Sequence, residues 1–198
     1  MSNRNNQQLE YTPSQHILDL EPGSTPADWH QHPNGCGWVY RTARVAETAH
    51  VGPKAVVYGN ARVRDYAVVS GTARICGDAE VYGHAWVCGS AEVSGSAKVC
   101  DSAMIFGNAR VFDDVMIFGN AKVGDNAEVS GCAWVGDAWV FEDAEISGDA
   151  WVVEHAKVGG YAKVCCARVG SGAWVSGDVV VNGACARIDG GLTKEQAL

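Results

Sequence analysis

From Gly35 onward, small and aliphatic positions alternate with polar ones on a six-residue period, Gly/Asp-x-Ala-x-Val/Ile-x, plain in GDAEVY, GHAWVC, GSAEVS, GSAKVC, GNARVF and GNAKVG. About 25 such units run from Gly35 to Asn182. Two are one residue short, DAWVF at 137–141 and CARVG at 166–170. Ala and Val stand two apart, so in an extended strand both point to one side and the residue between them points to the other. The Gly or Asp at a fixed place in each unit marks a corner, where left-handed backbone angles are tolerated. Strands this short and this rich in alanine cannot stand alone; they must stack around a shared narrow interior. A helix would space its apolar residues by three and four and would not carry so much glycine, and the period of six excludes a pentapeptide solenoid. The pattern predicts an all-β solenoid with flat sides.

The repeat resembles that of the hexapeptide-repeat proteins of the bacterial acyltransferase type, over roughly Gly35 to Asn182. Its Gly-Asn-Ala-Arg-Val flavour, entered through Gly-Trp-Val, is most similar to the YdcK-like group, which is often encoded in prophages. The resemblance implies a single-stranded left-handed parallel β-helix with three hexapeptides per triangular coil. Residues 18 apart would then stack at about 4.8 Å, giving about eight coils and a rod of roughly 40 Å. The expected organisation is an irregular N-terminal capping segment at 1–34, the β-helix at 35–188 and a tail at 189–198, where LTKEQAL reads as a short helix. The first segment holds four of the five prolines. A solenoid end exposes unpaired strand edges, so a cap is physically required.

Taking the outward residue of every third unit, with allowance for the two short ones, sorts the surface into three columns. The first, Trp38, Val56, Arg74, Glu92, Arg110, Glu128, Glu145, Lys163 and Val180, reads in its middle as an alternating charge ladder on a solvated face. The second contains Met116, Trp134 and Trp151 in succession after Arg44, Arg62, Glu80 and Lys98, and ends at Arg168. The third runs His50, Val68, Trp86, Met104, Lys122, Trp139, Lys157, Trp174. Apolar strips of this size predict a self-association surface, and the resemblance implies a parallel trimer. The competing expectation is that the N-terminal segment folds back over one of the two strips.

Candidate chemistry is sparse. His50, His84 and His155 fall on units of the third side, and in the resembling family a histidine base acts at a subunit interface beside bound acyl-CoA. This implies His84 or His155 as the base if the chain is an acyltransferase. Their separation of 71 residues is four coils, about 19 Å, so they cannot share a metal within one chain. His30, His32 and Cys36, in DWHQHPNGC, are the remaining candidate ligands for zinc, although a cap is the expected role of that stretch. The pair Cys165-Cys166 spans the second short unit; a redox role stands against thiols filling an altered corner, with no basic neighbour evident.

The net charge of -8 repels phosphates and anionic membranes, so neither nucleic acid nor a membrane is an expected partner. The first ten residues lack a basic start and apolar run, no stretch of about 18 apolar residues occurs, and the expectation is a cytoplasmic chain with free thiols. Three functions follow. The foremost is a noncatalytic scaffold or interaction module without a cofactor. Beside it stand an acyl-CoA-dependent acyltransferase with an inter-subunit site and a phage-type acidic decoy of a host protein.

Overall fold

The computed structural model describes residues 12–183 and 186–192. Within them the repeat folds into three sheets of parallel strands wound by one continuous chain, each strand after Trp38–Tyr40 joining a different sheet from its predecessor. The first sheet has ten strands, from Trp29–Gln31 through Trp38–Tyr40 to Val180–Asn182. The second has nine, from Arg44–Val45 to Arg187–Ile188, and the third nine, from His50–Val51 to Gly191–Leu192. Eight turns separate Trp38 from Val180. The molecule is a hexapeptide-repeat β-solenoid.

Register follows the unit lengths. Strand partners are 18 residues apart up to Met116↔Trp134 and drop to 17 at Lys122↔Trp139, after the short unit at 137–141. They return to 18 at Trp139↔Lys157 and fall to 17 again at Trp151↔Arg168, across the second short unit. Each missing residue comes from a corner, so the Ala and Val positions still point inward. From Ala49 to Val164 every inward Ala and Val or Ile of the repeat is buried, in one continuous column of contacts. Each aliphatic side chain so buried contributes on the order of 1.5–3 kcal/mol.

The corners hold the left-handed angles expected of them. Glycines such as Gly71 sit at φ +67°, and a Cβ there would lie 2.4 Å from the carbonyl oxygen of Gly89 on the next coil. Non-glycine corners are mostly acidic, and a left-handed angle costs such a residue roughly 1–2 kcal/mol. At most of these corners the carboxylate offsets that cost by accepting a backbone N–H from the following coil, while Asp137 takes that of Asn120 in the preceding coil at 2.8 Å. Asp65 takes the amide of Gly83 at 2.9 Å, Asp101 that of Gly119 at 2.9 Å, and Asp113 that of Gly131 at 3.0 Å. Asp125 takes the amide of Glu142, whose own carboxylate takes that of Gly160.

The N-terminal segment is more regular than expected and covers a different place. Trp29–Gln31 pairs antiparallel with Trp38–Tyr40 and closes the open edge of the first sheet. The turn that follows closes the third sheet: the Val51 amide donates to Asn34 O at 3.0 Å, and the Gly37 amide to Val51 O at 2.9 Å. A Cβ at Gly35 would lie 2.3 Å from Val51 O, so the chain can approach this closely only without one. A short helix, Gln15–Leu18, then lays Ile17 against Trp29, Trp38 and Val56. Among the described residues the fold-back therefore buries Trp38 and Val56 at the start of the first column, ahead of its charge ladder, and covers neither of the Trp and Met strips it was expected to reach. At the other end the third sheet extends through Gly191–Leu192, into the expected tail at 189–198; Leu192, the first residue of the expected helix LTKEQAL, is in that strand, and the rest of it, 193–198, lies outside the described residues.

Candidate functional site

Two faces carry ordered aromatic ladders. On the third, the register sets Val68, Trp86 and Met104 in adjacent strands, with Trp86 Nε1 donating to Ser70 Oγ at 3.3 Å. Beyond Met104 the ladder alternates cation and ring. Lys122 Nζ lies 4.6 Å from the Trp139 ring centre, and Lys157 Nζ stands 5.5 Å from Trp139 and 5.9 Å from Trp174. Trp86, Trp139 and Trp174 remain 46%, 46% and 55% exposed, a large apolar area left in water.

On the second face Trp134 and Trp151 stack in parallel, with centres 5.2 Å apart and planes 4° apart. Phe118 meets Trp134 edge-on at 6.1 Å, and the Arg168 guanidinium covers the far side of Trp151 at 5.9 Å while its Nη2 donates to Glu154 at 2.8 Å. Trp139, between Lys122 and Lys157, and Trp151, between Trp134 and Arg168, have neighbours over both ring planes, whereas the outer neighbour of Trp174 in its sheet is Gly191.

Sequence reasoning missed the corner phenylalanines. Phe106, Phe118 and Phe141 lie over Gly124, Gly136 and Gly159 of the next coil, where a Cβ would come within 2.1–2.4 Å of each ring. The signal was present, a Phe directly after the inward aliphatic with Gly 18 residues later. Phe106 and Phe141 also carry the third face round its edge, forming with Trp139, Lys157, Trp174 and Asp125 a groove of about 300 Å³.

The histidines do not converge. His84, exposed, stacks on Tyr66 at 5.5 Å and 9°. His155 occupies an exposed left-handed corner at φ +65°, its amide bonded to Asp137 O at 2.9 Å. The strands that follow them, at Trp86 and Lys157, are four steps apart in the third sheet, about 19 Å. His50 Nδ1 lies 3.2 Å from Asn34 Oδ1. In the N-terminal turn His32 is buried, with Nδ1 3.1 Å from Asn34 O, whereas Cys36 is exposed. Partial burial, and then the nearby His32, lower the His30 pKa. Among the described residues no three His, Cys, Asp or Glu side chains are grouped to hold a metal. The described cysteines are free, and burial pushes the thiols of Cys76, Cys88 and Cys100 up.

No protein-family model matches the chain, and no curated protein matches it in sequence. Among solved structures, LpxA from Acinetobacter baumannii is similar at 15% identity and a TM-score of 0.32, over 70% of this chain and 66% of that one.

Proposed function

We propose that this chain is an interaction module, a left-handed β-solenoid that self-associates side by side through its third face, as a trimer. One observation carries this reading: a rigid ladder from Val68 to Trp174 presents ring edges at fixed strand spacing and continues over Phe106 and Phe141 into an apolar groove. The strand lattice fixes those side chains before any partner arrives, so little ordering entropy opposes association. The second face is shorter and its outer ring is already capped by the Arg168–Glu154 pair, so it is left outward.

Light scattering tests the reading. Wild-type protein should show a multiple of the monomer mass, and Trp86→Glu should return it to the monomer with an unchanged far-ultraviolet spectrum. A wild-type monomer at high micromolar concentration would end the self-association reading. Release of CoA from acetyl-CoA with amine acceptors, lost in His84→Ala or His155→Ala, would replace it with the acyltransferase reading.

A further inference from the structure

At the edge between the first and second faces the second short unit brings two thiols together. Cys165 and Cys166 are free, with Sγ atoms 3.4 Å apart; closing the roughly 2.05 Å bond between such neighbours makes an eight-membered ring and requires the peptide between them to twist. Cys166 takes the corner at φ +52°. A Cβ on Gly148, in the preceding coil, would stand 2.4 Å from Cys166 Sγ, so this thiol occupies space a side chain there would fill. Beside it opens a cleft of about 350 Å³ lined by Asp149, Trp151, Cys166, Ala167 and Arg168. Cys166 is part of that lining and Cys165 is not.

The guanidinium side of Arg168 lines the cleft and is 41% exposed. Arg168 Nε is buried and has no hydrogen-bond partner, although the guanidinium is held in place by Glu154 on one side and the Trp151 ring on the other. A guanidinium held in this way and still partly exposed can offer its remaining outer N–H groups to a carboxylate oxygen. Arg168 stands two residues from Cys166 on the same cleft wall.

We propose that Cys165 and Cys166 form a thiol–disulfide exchange site for small disulfides bearing a carboxylate, with Cys166 attacking, Cys165 resolving and Arg168 anchoring the carboxylate. The Cys166 thiolate attacks one sulfur of the ligand, forming a mixed disulfide; the other sulfur leaves as a thiolate and takes up the proton Cys166 lost. The Cys165 thiolate then attacks Cys166 Sγ, breaking the mixed disulfide and expelling the second small thiol. Two protein thiols are oxidised, and one external disulfide is reduced to two thiols.

The probe is glutathione disulfide, added to the native chain and followed by intact mass and peptide mapping. Wild-type protein should end two hydrogens lighter, with a Cys165–Cys166 bond and two glutathiones released. Cys165→Ser should accumulate one glutathionyl group on Cys166, at least about tenfold faster than on the exposed single thiols Cys36 and Cys132. Arg168→Gln should slow reaction with glutathione disulfide about tenfold while leaving the rate with uncharged hydroxyethyl disulfide unchanged, the latter also reporting that the corner is still folded. Equal labelling of Cys36, Cys132 and Cys166, a persistent mixed disulfide in the wild type, or equal slowing toward both disulfides in Arg168→Gln would each overturn the assignment.

Discussion

The first and third faces stand on the same interior, with the same Ala and Val columns and strand spacing, yet they meet water differently. On the first, neighbouring strands neutralise each other: Arg110 reaches Glu128 at 3.4 Å and Lys163 reaches Glu145 at 2.8 Å. On the third, rings stack on lysines and still leave their edges open. One inter-strand geometry thus serves an ion ladder and an aromatic ladder equally. In this fold the outward column is independent of the lattice, and a face acquires its chemistry from one residue in six.

The strongest way to break that comparison is to attack what the faces share. Val93 is fully buried behind Glu92 of the first face, and Val93→Asp should cost more than about 4 kcal/mol and abolish cooperative melting by circular dichroism, taking the third face with it. If only the first face were lost, the interior would not be a common core.

A smaller effect is expected from acid. Asp137 is held below its ordinary 3.8 chiefly by the Asn120 backbone N–H, and Glu154 below 4.5 chiefly by that of Ser171. Both carboxyls titrate lower when folded than when unfolded, so their contribution is complete above about pH 5 and drains as pH falls through 4.5 and 3.8 toward the folded values. The melting temperature should be level from pH 7 to 5 and decline below, less steeply in an Asp137→Asn, Glu154→Gln double variant. Both groups lie on the edge between the second and third faces, so the aromatic faces should loosen on that side.

The smallest effect belongs to the ion ladder itself. Arg110 and Glu128 are both partly exposed, and a double-mutant cycle to Gln should return about 0–1 kcal/mol of coupling, weaker still in salt. A coupling of several kcal/mol would show that the first face is more than a solvated surface.

The three columns were legible in the sequence, including the shift to 17 at each short unit, because period-two alternation and a fixed corner determine which residues stack. Trp134 was placed beside Trp151, and Val68 beside Trp86, without any structure. What periodicity does not encode was harder to read. Pairs such as Asp101 with Gly119 and Phe118 with Gly136 lie outside the inward and outward columns, in corners where a side chain turns along the rod axis. The fold-back of Ile17 onto Trp38 and Val56 is a long-range contact of a non-repeating segment. Arg168 was assigned to its face, but its joint lining of a cleft with Cys166 depends on a shortened corner whose path no spacing rule supplies.

The carboxylates that reach from one coil to the amide of the next, as Asp125 does to Glu142 and Glu142 to Gly160, also give the rod a mechanical polarity. The N-terminal end is locked by an antiparallel strand, whereas among the described residues nothing stands over the corners at Gly172 and Gly177. Tension applied to the C-terminus should therefore peel coils away singly, each departure undoing its own hooks before the next coil bears load. The rod would pay out length in small, nearly equal steps under a low force, as a ratcheted tape does.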